Sequence, residues 1–196
     1  TTTKINSTAV TANASGGGSK TGNVVTVDPF VVTPNFFSHQ VGVPTSNPSP
    51  TIDGVIDSVY STNTPTSFTQ YTATAPTSAS DLSVKYQTLW DTNNLYFAFD
   101  VTDQSINIPG NLPDWDRDGI EIELDSNNSK GSNYDGINDC KYTFVADFSG
   151  ATPASVYSNI ASTNCTLTGV TYKAVPKSGG YIIEAKIPFA AMGTPA

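Results

Sequence analysis

Five runs between residues 83 and 189 alternate apolar and polar side chains with a period of two: SVKYQTLWD (83–91), NLYFAFDV (94–101), DGIEIELD (118–125), CKYTFVADF (140–148) and GYIIEAKIPF (180–189). Successive side chains of a strand point to opposite faces, so each run reads as a strand with one buried face. In the second run Leu95, Phe97, Phe99 and Val101 share one face, and Tyr96, Ala98 and Asp100 the other. In the third, Ile120, Ile122 and Leu124 face inward, and Glu121 and Glu123 outward. Only Thr92-Asn93 separates the first two runs, which predicts a hairpin. Weaker strands are expected at 66–72, 153–158 and 166–174, and Trp90, inside a strand, is expected in the core. No long stretch carries a helical period. The expectation is an all-β chain folded as an antiparallel β-sandwich of the jelly-roll or immunoglobulin-like type, with an extended N-terminal tail.

The tail is residues 1–50, rich in Thr, Ser, Asn and Gly, with a flexible run GGGSKTG at 16–22. It holds one strand-like segment, NVVTVDPFVV (23–32), in which Pro29 rules out a central place in a sheet. A Pro-dotted linker follows at 41–50, and the sandwich is expected over 51–196, opening on the turn-rich TIDGVIDSVY (51–60).

Composition narrows the function. Only 13% of the residues are charged and the net charge is −8, so the polar surface must come from Thr, Ser and Asn. Nucleic acid and anionic membranes need basic clusters, which are absent; neutral ligands and cations remain. No run is long and apolar enough to span a membrane, and the chain starts at Thr1, as after removal of a leader. A secreted or cell-surface location is expected. Cys140 and Cys165 then form a disulfide worth about 3 kcal/mol in the chain-entropy model, two buried thiols being the other reading. Sequons stand at Asn6, Asn13, Asn127 and Asn164 as possible glycosylation sites.

Acidic turns carry the candidate chemistry. Asp114, Asp116, Asp118 and Gly119 form D-x-D-x-D-G, in which alternate carboxylates on a tight turn suit Ca²⁺. Position 12 of this run is Asp125 rather than Glu and strand intervenes, so it is not an EF-hand. A second cluster gathers Asp125, Asn127, Asp135, Asn138 and Asp139, whose mutual repulsion a divalent ion would relieve; Asx-turns also account for its composition. Trp115 between aspartates suits stacking on a pyranose ring, with Asp114 and Asp116 accepting from sugar hydroxyls. Glu121 and Glu123 lie about 7 Å apart on one strand face, but no base, nucleophile or phosphate-cradling loop accompanies them. No catalytic residue and no nucleotide are therefore expected.

The order IDGVIDSVY, VKYQTLWDTNNLYFAFDVTD, PDWDRDGIEIELDSNN, NDCKYTFVADF and GGYIIEAKIPF resembles the family 9 carbohydrate-binding modules and the wider group of DOMON-like sandwiches, over about residues 51–190. The resemblance implies a calcium-containing, sugar-binding β-sandwich that is often an appendage of glycoside hydrolases. It implies that Trp115 is the first of two sugar-clamping aromatics. Two departures stand out. Tyr60 occupies the place of a usual Trp, and the family continues past the match to IPF (187–189), with strands that carry the second aromatic. Haem, bound by some DOMON relatives, is not expected, because His39 lies in the tail and Met192 near the end.

The expected function is a non-catalytic extracellular module, calcium-stabilised, that binds a polysaccharide or glycan. The alternative is a structural subunit of a filament or surface assembly, in which residues 23–32 are donated as a strand to an identical subunit with an open sheet edge after 181–187.

Overall fold

The structure, a computed structural model, describes residues 41–42, 48–68, 75–127, 139–157 and 165–192. The chain divides into two units, Thr1–Ser38 and His39–Ala196; the first, with the predicted strand at 23–32, His39, Asn6 and Asn13, lies outside the described residues, as do Asp135, Asn138 and Asn164.

Nine strands are described: β1 (Val41–Gly42), β2 (Thr66–Ser67), β3 (Leu82–Trp90), β4 (Asn94–Asp103), β5 (Gly119–Asp125), β6 (Asp139–Val145), β7 (Ser155–Tyr157), β8 (Thr171–Lys177) and β9 (Gly180–Pro188). They form two sheets. The larger runs β1-β3-β4-β9-β8, with β2 also on the outer side of β3; the smaller runs β5-β6-β7. Pairing is antiparallel except for β1, which lies parallel to β3 at Leu89 and Trp90. The β3–β4 hairpin closes over Thr92-Asn93, and the Asp91 N–H donates to Asn94 O at 3.0 Å. Asp91 holds the turn by accepting from the N–H groups of Asn93 and Asn94 and from the Tyr96 hydroxyl. Burial works against its charge, but these bonds prevail and hold its carboxyl at about 2.

The alternation places the core as expected. Leu95, Phe97, Phe99 and Val101 of β4 meet Ile120 and Ile122 of β5, Tyr142 and Phe144 of β6, and Ile183, Ala185 and Ile187 of β9 between the sheets. Cys140 and Cys165 are joined in a disulfide beside this core. The chain end is drawn in there too: the Tyr142 hydroxyl donates to Ala191 O at 2.6 Å, and the Ser126 hydroxyl to Met192 O at 2.7 Å.

Two expectations are corrected. Trp90 is not core but 42% exposed. Trp90 is the last residue of β3, beside the hairpin turn, at the end of the sheet rather than in its middle. The open edge is not at 181–187 either: β9 is flanked by β4 and β8.

A second layer covers the outer face of the larger sheet. Residues 51–62, ending in a 3-10 turn over Ser58–Thr62, pack Ile52, Ile56, Val59 and Tyr60 on Leu89, Tyr96 and Ala98. Both faces of β4 are therefore buried. Glu184, on this outer face, is fully buried; its Oε2 accepts from the Gly54 N–H at 2.8 Å and the Asp53 N–H at 3.4 Å. Burial, against these bonds, pushes its carboxyl up to about 7. Gly54 has φ +91°, and a Cβ there would stand 2.6 Å from Val175 Cγ1, so the turn needs glycine on both counts.

Candidate functional site

The outer face of the smaller sheet is polar at Glu121, Glu123 and Lys141, whereas Thr143 and Val145 on the same face are buried. The β5–β6 register sets Glu121 opposite Thr143 and Glu123 opposite Lys141. Lys141 Nζ lies 2.8 Å from Glu121 Oε2, and the Thr143 hydroxyl donates to Glu121 Oε1 at 3.2 Å. Across the next pair, Lys141 faces Tyr157 and Thr143 faces Ser155 in register. Glu121, itself exposed, is thus held by the partly buried Lys141 ammonium and the buried Thr143 hydroxyl, a fixed array of donors and acceptors. It offers a hydroxylated ligand several hydrogen bonds without ordering long side chains first.

The acidic turn that precedes β5 lies against β6. Asp114–Asp116 form one 3-10 turn, and the Arg117 N–H closes it on Asp114 O at 3.3 Å. The structure describes Trp115 through its backbone only, in the middle of this turn.

The three aspartates have different surroundings. Successive side chains of a 3-10 turn are about 120° apart, so Asp114 and Asp116 diverge. Asp114 Oδ1 lies 3.5 Å from Arg117 Nη1, and Asp116 is exposed. Asp118 accepts a short hydrogen bond from the Asn107 N–H; burial raises its pKa against that bond, and the nearby Asp103 charge adds to the rise. Among the described residues no three acidic, His or Cys side chains stand where they could share a metal ion. The expected convergence of Asp114, Asp116 and Asp118 is therefore not found. Gly119 also has another reason to be glycine: a Cβ there would lie 2.4 Å from Phe144 O of β6, whereas a left-handed backbone is not involved.

The second cluster is described in part. Asp125 and Asp139 are direct cross-strand neighbours at the far end of the β5–β6 pair, and Asn127 follows in an exposed turn. The third carboxylate of the expected set, Asp135, lies outside the described residues.

A family model described as "Carbohydrate family 9 binding domain-like" matches residues 52–196. The chain belongs to this family. Among curated proteins, Endo-1,4-beta-xylanase A of Thermotoga neapolitana is 30% identical over 141 residues, covering 71% of this chain. Exoglucanase XynX of Acetivibrio thermocellus is 30% identical over 144 residues, covering 72% of this chain. The chain spans 12% of the length of each. Among solved structures, a family 9 module of Caldicellulosiruptor kristjanssonii in complex with cellotriose superposes with a TM-score of 0.61 at 23% identity. The match covers 76% of this chain and 66% of that one. The same module in complex with glucose gives 0.60, covering 76% and 69%.

Membership in the carbohydrate family 9 group accounts for the recurring order of segments and for the sandwich. Lys141 and Thr143 did not emerge as site residues from the sequence. Alternation in CKYTFVADF sets them outward, but the long connection over 126–138 hides their register against β5.

Proposed function

We propose that this chain is a non-catalytic carbohydrate-binding module that takes a neutral β-1,4-linked glycan on the outer face of the smaller sheet. The observation that carries the proposal is the Glu121–Lys141–Thr143 array beside the Trp115 turn. Glu121 and Lys141 satisfy each other's charge, which favours an uncharged partner over an ionic one. In this reading Trp115, on the turn against β6, is the aromatic that stacks on a pyranose face. Xylanases and an exoglucanase among the relatives, and cellotriose and glucose on the structural neighbours, support a cellulose-like or xylan-like ligand. The Cys140–Cys165 disulfide supports an extracellular setting.

Calorimetric titration with cellotriose and with xylo-oligosaccharides tests this reading. Binding is expected, with a loss of about thirtyfold or more in Trp115→Ala, the scale of an aromatic anchor. Heat-silent titrations with both ligand classes would refute it.

Calcium belongs to the same reading. Like charges placed directly opposite on paired strands repel, and Asp125 faces Asp139 in this way. A Ca²⁺ ion bound by Asp125, Asp139 and the Asn127–Asp135 connection would turn that repulsion into ligation. Excess CaCl₂ over EDTA should then stabilise the fold by about 3 kcal/mol at a hundredfold excess over Kd. Asp125→Asn/Asp139→Asn should abolish the difference, and an unchanged melting curve in wild type would exclude the ion.

A further inference from the structure

We propose that Arg117 is a positioning residue of the glycan site: its guanidinium bridges the loop Asn107–Asp118 and holds the Trp115 turn in one conformation before a sugar binds. The inference rests on the sugar reading above and adds what prepares the turn. The loop is closed at its base. The Asp118 N–H donates to Asn107 O at 2.9 Å, and the Asn107 N–H donates to an Asp118 carboxylate oxygen in return. Ile106 and Ile108 on one side, and Ile120 on the other, pack into the core, so both ends are fixed to the sandwich.

Between these ends the backbone is bent by local turns. The Leu112 N–H donates to Pro109 O at 3.1 Å, the Asp116 N–H to Pro113 O at 3.0 Å and the Arg117 N–H to Asp114 O at 3.3 Å. Pro109 and Pro113 each fix one φ. A loop whose ends meet is ordered by the packing of its own side chains, and Arg117 is the side chain that crosses this one. Its Nη2 donates to Gly110 O at 3.0 Å, and its Nη1 lies 3.5 Å from Asp114 Oδ1. One residue thus ties the start of the loop to the turn that carries Trp115. The guanidinium can do this because its N–H groups fork in a fixed plane; an ammonium on a flexible stem is a single point charge.

Packing alone does not call for this residue. Arg117 is the only arginine of the chain, and its side chain is 11% exposed. Burial strips water from the guanidinium, and its Nε is buried with no partner among the described residues. An apolar side chain of similar volume fills such a place at least as well for stability. What the guanidinium supplies instead is a fixed loop. A ligand that meets an ordered loop does not have to order it on binding, so more of the contact energy appears as affinity.

Full-length Arg117→Met, which keeps the apolar stem, and Arg117→Lys, which keeps the charge, test the clamp. Both should retain the near-ultraviolet circular dichroism and cooperative unfolding of the fold. Without sugar, hydrogen exchange at the Leu112, Asp116 and Arg117/Met117-position amides should quicken in the Met variant, while the Phe144 and Ile183 amides stay as they are. Calorimetry should show cellotriose weakened about tenfold by Arg117→Met, the scale of ordering a loop on binding, and less by Arg117→Lys. Added to Trp115→Ala, Arg117→Met should weaken binding no further, because the arginine acts through that turn. A wild type that binds cellotriose while both folded variants bind it equally well would overturn the inference and leave the sugar reading standing. Loop exchange unchanged in Arg117→Met, or losses that add fully to that of Trp115→Ala, would overturn it too. A heat-silent wild type would overturn both readings. Should the Met variant not fold, the Lys variant decides by the same measurements.

Discussion

Glu184 and Glu121 both sit at outward positions of alternating strands, and the two sheets treat them in opposite ways. Glu184 lies beneath residues 51–62, fully buried, with backbone N–H groups on its Oε2 and, among the described residues, no partner on its Oε1. Glu121 stands on an open face with an ammonium and a hydroxyl as partners. The first carboxyl serves the fold, tying the entry turn to β9. The second is exposed, and the proposed function gives it to a ligand. An outward residue on a sandwich acquires its role from what covers it, and in the proposed reading Glu121 is the one that a glycan reaches.

The largest effect expected from this contrast is at the covered face. Gly54→Ala should destabilise by about 4 kcal/mol, combining the cost of a left-handed non-glycine residue with overpacking against Val175. Equilibrium denaturation would measure it. A loss under 1 kcal/mol would mean that the layer is loosely held.

Next is the Glu184 proton. Its pKa rises from 4.5 in the unfolded chain to about 7 in the fold. The folded state therefore binds the proton more tightly. The stability this gives is complete below about pH 4.5 and is lost as pH rises through about 7. The loss across that window is about 3 kcal/mol, and Glu184→Gln should flatten the curve there. A wild-type profile with no fall between pH 5 and 8 would contradict the account.

The smallest effect on stability is expected at the open face. Glu121→Ala breaks a surface ion pair and should cost about 1 kcal/mol or less. The same change should weaken cellotriose binding by about tenfold, the scale of one charge-assisted hydrogen bond. Equal stability and affinity losses at both glutamates would erase the distinction between the faces.

The contrast also marks how far the chain could be read. The period of two located the long strands and their inner faces, because alternation is imposed by the pleat itself. It sorted Leu95, Phe97, Phe99 and Val101 to the core, where they lie. Alternation cannot report what lies over an outer face. TIDGVIDSVY has no regular period, so its role as a cover was not visible, and Tyr96, Ala98 and Glu184 were left on a surface that is buried. Trp90 failed for a related reason: strand membership does not say whether a residue lies in the middle of the sheet or at its end, and Trp90 is the last residue of β3. Within the candidate site, spacing alone suggested that Asp114, Asp116 and Asp118 converge, but a 3-10 turn spreads them and Arg117 takes one. Pairing across a long connection set Lys141 and Thr143 beside Glu121, and no local pattern encodes that register.

Amide chemical-shift mapping during a cellotriose titration tests the central claim most directly. Shifts should concentrate on Trp115, Glu121, Lys141 and Thr143 and leave residues 51–62 and Glu184 unmoved. Shifts centred on the covered face, or none at saturating sugar, would contradict the assignment of the glycan to the smaller sheet.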